Sequence, residues 1–130
     1  MDGLHQSKGI SASGMQAQAQ RLRFITENIA NADTPGFRRK VTTFEGVLDH
    51  GRETGRVTTG PVNLDRSELA QVYDPAHPLA NNDGYYEGSN VSLVVEIADA
   101  REAQRSYEAN LRMFDQARKM RSSLFELLRR

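Results

Sequence analysis

The 130-residue chain contains no cysteine and no tryptophan. Without cysteine it has no disulfide bridge, no thiolate zinc site and no cysteine nucleophile, and its fold does not depend on the redox state of its compartment. Aromatic residues make up 7% and hydrophobic residues 38% of the chain, which is little for a compact globule. We therefore expect a single domain with a small apolar core.

The chain also lacks a long apolar run and an excess of charge of one sign. No stretch approaches the roughly 18 consecutive apolar residues of a membrane span, and the N-terminus has neither the basic nor the apolar region of a cleaved signal peptide. The 17 basic and 17 acidic residues cancel, whereas a nucleic-acid-binding surface is usually basic. We expect neither direct membrane insertion nor a nucleic-acid partner.

Motifs for catalysis or cofactor binding are missing as well. The histidines His5, His50 and His77 are far apart, and none is followed four residues later by a second histidine or a carboxylate, which excludes zincin-type spacing. There is no Walker loop and no GxGxxG motif after a strand. Residues 74–78 contain two prolines and predict a rigid turn. We expect no enzyme, no metal and no cofactor.

A first helix is predicted over residues 11–32. Its apolar residues recur at steps of three or four, which is typical of an amphipathic helix; they are Ala12, Met15, Ala19, Leu22, Ile25, Ile29 and Ala32. Pro35 and Gly36 are strong helix terminators and predict the end of this helix.

A second and longer helix is predicted from near Asn90 or Ser92, either of which can act as an N-cap, to the C-terminus. No Gly or Pro occurs between Val91 and Arg130. The apolar residues follow a slowly drifting face: Leu93, Ile97, Ala100, Ala103, Tyr107, Leu111, Phe114, Ala117, Met120, Leu124 and Leu127. Helices of this length usually belong to coiled coils or assemblies.

The segment between the helices differs in composition. It contains all four prolines and most of the glycines, and it is acidic, with a net charge of −5 over residues 41–90 against +3 before and +2 after it. Short strands are predicted over Val41–Leu48, Arg56–Val62 and Leu69–Tyr73. Turn signals separate them at residues 51, 55, 60–61, 74–75 and 81–84.

These elements predict a mainly α fold, in which N- and C-terminal helices form an antiparallel coiled-coil pair with a small β-rich or irregular middle insert. We divide one structural unit into residues 1–34, 35–89 and 90–130. Because the helices are unequal, the shorter one should cover only about half of the longer one. The remaining apolar surface then needs partners, most simply copies of this chain or close relatives.

Polar residues within the helices have two readings. Asn28, Asn31 and Asn110 are either exposed or placed in a helix–helix contact, where asparagine fixes register and partner. Likewise, the basic triplet at residues 38–40 is either a solvated surface or a docking site for an acidic surface, such as the middle segment of a neighbour.

Several segments resemble a known family. Residues 10–15 and 28–39 resemble the N-terminal signature of the bacterial flagellar rod and hook proteins, and residues 106–110 resemble the C-terminal one. Further segments resemble a subunit of the proximal rod within that family, namely 72–78, 84–85 and 90–91.

The resemblance implies a structural subunit of the basal-body rod, the periplasmic drive shaft that transmits torque and encloses the export channel. It implies export by the flagellar type III apparatus without a cleaved signal peptide, and copies of itself and other rod proteins as partners. Leu22, Ile25 and Ile29 should pack on the face from Tyr107 to Leu124, within and between subunits. Residues 34–39 should form the turn that sends the chain outward.

The predicted assembly interface therefore comprises Leu22, Ile25, Asn28, Ile29, Asn31, Thr34, Pro35, Gly36, Phe37, Arg38, Arg39, Tyr107, Asn110, Leu111, Phe114 and Leu124. Two alternatives stay open: a neighbouring proximal rod subunit of the same family, and a soluble coiled-coil export chaperone or adaptor.

Overall fold

The computed structural model describes residues 2–129. The elements in chain order are α1 (Asp2–Ala30), β1 (Lys40–Val41), β2 (Phe44–Asp49), β3 (Arg52–Thr59), β4 (Asn63–Leu64), β5 (Gln71–Tyr73), β6 (Tyr85–Glu87) and α2 (Leu93–Arg129). The helices contain 29 and 37 residues, about half of the chain. The expectation of a mainly α fold is therefore right only in part, since short strands and turns form the other half.

Helix α1 is longer than predicted, because it is already helical at Asp2 and includes His5. Gly3 and Gly9 weaken the helical pattern there. Tertiary packing overrides this low propensity: a Cβ at Gly9 would lie 2.6 Å from Nη2 of Arg56 in β3. The helix ends at Ala30, two residues before the predicted end.

Helix α2 begins at Leu93, so that Ser92 rather than Asn90 occupies the N-cap position. The backbone N–H of Glu96 donates to the Ser92 carbonyl at 2.9 Å, which is the first turn of the helix. The Asn90 side chain is used elsewhere, as described below.

The two helices pack antiparallel. Gly14 of α1 lies against Asn110 of α2, and Asn28 lies against Glu96. In this register α1 covers about three quarters of α2, rather than the half expected from the sequence, because α1 starts nine residues earlier than predicted. In α2, residues 118–129 are all exposed, both opposite the start of α1 and beyond it.

The strands form three separate antiparallel pairs, β1–β4, β2–β3 and β5–β6. The predicted strand over 41–48 is divided into β1 and β2, and the strand predicted over 56–62 begins at Arg52 and ends at Thr59. β4 and β6 were not predicted, because two or three residues carry too little pattern. The third predicted strand is reduced to Gln71–Tyr73.

The hairpin β2–β3 packs along α1. Val57 N–H donates to Oγ of Ser13 at 3.1 Å. Gly55 lies within β3 and not in a turn as predicted; its φ is +78°. A Cβ there would lie 2.9 Å from Cδ1 of Ile10, so that glycine permits the close approach of strand and helix.

The apolar core is very small. Within residues 2–129 the buried hydrophobic residues are Ala17, Ile25, Ala103 and Ala117. The buried polar residues are as numerous: Ser11, Asn28, Ser89 and Glu96. Three of the four core residues are alanines, and the apolar stripes predicted from the sequence are consequently only partly buried within the chain.

Candidate assembly surfaces and the polar cluster that supports them

A polar cluster lies where α1 ends and α2 begins; we call Asn28, Arg39, Asp65, Asn90 and Glu96 the junction cluster. Glu96 at its centre is fully buried. Arg39 Nε donates to Glu96 Oε1 at 2.7 Å, and Asn28 Nδ2 donates to Oε2 at 3.4 Å. The buried carboxylate is therefore neutralised by a cation from the segment that follows α1.

Arg39 connects this centre to the middle segment. Its Nη1 donates to Asp65 Oδ2 at 3.3 Å, and its Nη2 lies 3.6 Å from Asp99 Oδ2. The Arg39 backbone N–H donates to Asn90 Oδ1 at 2.7 Å, and Asn90 Nδ2 donates to the Asp65 carbonyl at 2.9 Å. One arginine thus holds the middle segment to the start of α2.

The ionisation of the cluster matches these contacts. Burial alone would lower the pKa of Arg39, but the hydrogen bond and the charge of Glu96, with those of Asp65, raise it above its ordinary value. The pKa of Asp65 is lowered, first by the backbone N–H of Ser67, which donates to Oδ1 at 2.9 Å. The Ser67 hydroxyl and Arg39 lower it further and outweigh desolvation. Both groups are therefore stabilised in their charged forms.

Asn28 is also bonded to the chain that leaves α1. Lys40 N–H donates to Asn28 Oδ1 at 2.8 Å, and Asn28 Nδ2 donates to the Lys40 carbonyl at 3.0 Å. Lys40 Nζ lies 2.5 Å from Oε1 of Glu27. Arg38 Nη1 donates to the carbonyls of Asp65 and Ser67 at 3.2 and 2.9 Å. All three cations of the basic triplet therefore bind groups of their own chain, including the acidic middle segment.

The predicted exit turn lies at residues 34–37. Gly36 has a φ of +74°, and its N–H contacts the carbonyls of Glu87 and Gly88 at 3.2 and 3.0 Å. The Thr34 hydroxyl donates to Asn31 Oδ1 at 3.1 Å. Pro35 is exposed and Phe37 is half-buried. The turn is thus bonded to the base of the β5–β6 hairpin and directs the chain from α1 to β1.

The other two asparagines bond to their own helices. Nδ2 of Asn31 and of Asn110 each donates, at 2.9 Å, to the carbonyl four residues earlier. Asn110 nevertheless lies in the helix contact, because a Cβ at Gly14 would be 2.6 Å from its Oδ1. Of the three asparagines, Asn28 is the fully buried one.

The predicted apolar interface residues divide into two groups. Ile25 is buried, while Leu22, Tyr107 and Phe114 are half-buried. Ile29, Leu111 and Leu124 are 37%, 41% and 40% exposed.

Within one subunit, the prediction that Leu22, Ile25 and Ile29 pack on the face from Tyr107 to Leu124 is wrong. Arg21 lies 3.9 Å from Asp99 and 3.5 Å from Glu102, so this part of α1 faces the first turns of α2. The register of α1 against α2 is set by the polar contacts of Asn28 and by the close approach of the helices at Gly14. The apolar stripes do not set it.

Large apolar side chains are exposed along α2. Those at least 40% exposed in its described part are Leu93, Val94, Val95, Ile97, Leu111, Met113, Met120, Leu124, Phe125, Leu127 and Leu128. Monomeric proteins rarely expose so much apolar surface on one element, and such surfaces are typical of protein–protein contacts. Neither described helix has an apolar stretch long enough to cross a bilayer.

Sequence reasoning missed Glu96 and Asp65 as partners of Arg39. The signal for Glu96 is its seven-residue spacing from Ala103, Asn110 and Ala117, which places it on the side of α2 that faces α1. The sequence carries no comparable local signal for Asp65, which is 26 residues from Arg39.

Comparison with known proteins relates this chain to flagellar components. Residues 10–38 match the family described as flagella basal body rod protein, and residues 82–127 match the C-terminal region of flagellar basal body rod FlgEFG proteins. The chain is 42% identical to the flagellar basal-body rod protein FlgC of Agrobacterium fabrum over 99% of this chain and 98% of that protein.

More distant relatives carry the same name. Identity is 32% to FlgC of Salmonella typhimurium, over 85% of this chain and 87% of that protein. The identity to FlgC of Borreliella burgdorferi is 33%, over 97% of this chain and 98% of that protein. With this identity over nearly the full length of both chains, the protein belongs to the FlgC family of flagellar basal-body rod proteins.

Proposed function

We propose that this protein is a structural subunit of the proximal rod, which assembles with copies of itself and with other rod proteins. The observation that carries the proposal is the distribution of side chains on α2. Small and polar residues of α2 are buried against α1, whereas most of its large apolar residues are at least 40% exposed. Burying one such side chain contributes about 1.5–3 kcal/mol. Assembly that buries the exposed apolar side chains of α2 therefore stabilises the assembled state over the monomer. The family consists of structural proteins and not of enzymes.

The helix pair is proposed to act as a coiled coil. Glu96, Ala103, Asn110 and Ala117 occur at intervals of seven residues along the contact with α1. A seven-residue period is typical of left-handed coiled-coil packing. Alanine and Gly14 allow the two backbones to come close, and larger side chains on either flank are then available to helices of neighbouring subunits.

The predicted interface residues have two roles in this proposal. Ile29, Leu111 and Leu124 contact neighbouring subunits directly, because they are exposed. The residues of the exit turn, with Arg38 and Arg39, hold the middle segment at a fixed angle to the helix pair. The middle segment then joins subunits further out in the rod.

Location and export complete the proposal. The protein forms part of the periplasmic drive shaft around the export channel, and it reaches this position through the flagellar type III apparatus without cleavage of a signal peptide. A chain with so small a core suits passage through a narrow channel, since little packing must be undone.

The test is complementation of a flagellated strain that lacks its own copy of this subunit. The chain should restore swimming, and it should be recovered with purified basal bodies. In a strain without the flagellar export apparatus it should stay inside the cell. A stable cytoplasmic dimer that is never recovered with basal bodies would contradict the proposal and would favour an export chaperone.

A further inference from the structure

Two exposed surfaces at opposite ends of the molecule have matching chemistry. The first is the C-terminal tip of α2, defined as residues 118–129, in which four basic residues and one acidic residue give a net charge of +3. The second is the hairpin β5–β6, defined as residues 71–87. It contains three acidic residues and no Lys or Arg, which gives −3.

The tip is apolar as well as basic. Leu124, Phe125, Leu127 and Leu128 are 40%, 44%, 66% and 77% exposed. At 3.6 residues per turn these four side chains lie within an arc of about 160°, and an apolar helix face of this kind normally packs against another element. The guanidinium carbon of Arg121 lies 5.5 Å from the Phe125 ring centroid.

The hairpin offers an aromatic surface. Tyr73 and Tyr85 have ring centroids 5.1 Å apart, and they are 64% and 42% exposed. His77 is stacked on Tyr86 at 3.9 Å, which holds the adjoining turn rigid. Leu79, 64% exposed, and Tyr85 line an open cleft of about 430 Å³. Rigid tyrosines beside a cleft are typical anchors of protein interfaces.

The fold prevents these two surfaces from meeting within one molecule. The base of the hairpin is bonded to the turn after α1 through Gly36, at the end where α2 begins. The tip starts about 38 Å further along α2, at 1.5 Å per residue. The three-residue strand β5 spans only about 10 Å, so the hairpin does not reach the tip of its own chain.

We propose that the C-terminal tip of α2 docks on the β5–β6 hairpin of a second copy of this chain. The inference rests on the proposed function, for which it names one contact between subunits. Basic and apolar residues of the tip would meet acidic and aromatic residues of the hairpin, so that charge and apolar burial act together. Because the two surfaces differ, the contact is heterologous: it continues from subunit to subunit in a ring or a helical series and does not close as a symmetric dimer.

Cysteine cross-linking tests this contact, and the absence of native cysteine makes each introduced thiol unique. Leu79→Cys and Leu128→Cys replace strongly exposed side chains, so folding should be retained. In basal bodies from the complemented strain, the double variant should form a ladder of cross-linked oligomers longer than dimers. A mixture of the two single variants should form only 79–128 dimers.

The matched control is Leu48→Cys combined with Leu128→Cys. Leu48 is 62% exposed, like Leu79, but lies on the hairpin β2–β3. The 48–128 pair should give a cross-linked yield at least about fivefold lower than that of the 79–128 pair. Arg118→Glu with Arg121→Glu should reduce the 79–128 yield at least about fivefold, and Asp74→Lys with Asp83→Lys on the partner should restore it.

Three results would overturn the inference: no 79–128 product, a 79–79 product instead, or a product only when Leu128 is paired with a different rod protein. The proposed function is judged separately by recovery of the uncross-linked chain with basal bodies. A chain that is present there without the 79–128 product refutes the contact alone.

Discussion

Nε of Arg39 lies 2.7 Å from Oε1 of Glu96, a carboxylate with no exposed surface. The two residues are 57 positions apart, and their contact joins the segment after α1 to the first turn of α2. It therefore fixes the position of the middle segment relative to the helix pair.

Arg39→Met should strongly destabilise the chain, because it leaves a buried carboxylate without its cation. Removing one partner of a buried pair costs about 3–5 kcal/mol. The loss should appear as a lower free energy of urea unfolding, followed by far-UV circular dichroism. Adding Glu96→Gln should recover part of it.

The control for this prediction is Arg38→Met. Within residues 2–129 the Arg38 side chain bonds only to backbone carbonyls, so its loss should cost about 1 kcal/mol. Equal effects of the two arginine variants would contradict the central role assigned to Arg39.

The lowered pKa of Asp65 predicts weakening of the junction cluster in acid. A group whose pKa is lower in the folded state stabilises it fully above the ordinary pKa, which is 3.8 here, and this stabilisation is lost as the pH falls through the folded pKa. The urea midpoint should therefore fall as the pH drops below 3.8. The urea midpoint of Asp65→Asn should fall less steeply over the same pH range. A slope equal to that of the wild type would contradict a contribution of Asp65 to the acid sensitivity.

Leu111→Asp should abolish assembly and swimming without preventing synthesis. Leu111 is 41% exposed, so the substitution should change the free energy of unfolding of the isolated chain by less than about 1 kcal/mol. A charge in an apolar subunit contact is far more costly. Swimming assays and recovery with basal bodies would measure the effect, and Leu111→Met should behave like the wild type. Normal motility of the aspartate variant would refute the placement of Leu111 in the interface.

Gly14→Ala and Gly3→Ala should have opposite effects on stability. Among the described residues nothing lies within 4 Å of a Cβ at Gly3, so alanine should stabilise α1 there by up to about 1 kcal/mol. At Gly14 the added methyl group would press on the Asn110 amide, and overpacking should destabilise the pair by about 1–3 kcal/mol. Thermal unfolding gives both values.

The close contact can be tested further with Gly14→Ala combined with Asn110→Ala. Truncation of the asparagine should remove most of the penalty, so the double variant should be more stable than Gly14→Ala alone. Two independent, additive effects would show that Gly14 is not needed for the helix approach.

Local pattern was sufficient to predict both helices and the turn between α1 and β1. Pro35 and Gly36 do not favour continuation of a helix, so they mark the end of α1. The apolar period of α2 continues over more than thirty residues. The first nine residues of α1 were missed, because Gly3 and Gly9 weaken the pattern and the contact of Gly9 with Arg56 cannot be inferred from the sequence.

The register of the helix pair and the junction cluster were beyond local pattern. Periodicity selects large apolar residues such as Leu111 and Ile97, yet the side of α2 that faces α1 contains Glu96 and Asn110. The partner of Arg39 depends on how the whole middle segment returns to α2. Such contacts follow from tertiary packing and not from neighbouring residues.

The polar contacts between α1 and α2 have a consequence for larger structures. Hydrogen bonds to Asn28 and Glu96 are directional, so sliding one helix by a turn would break several of them at once. The exposed apolar side chains on the outer flanks of the helices make no directional contacts, so they are compatible with a range of crossing angles to neighbouring helices. A molecule of this kind keeps its own shape constant while it accepts neighbours in unequal surroundings, as a shaft built from several different proteins demands.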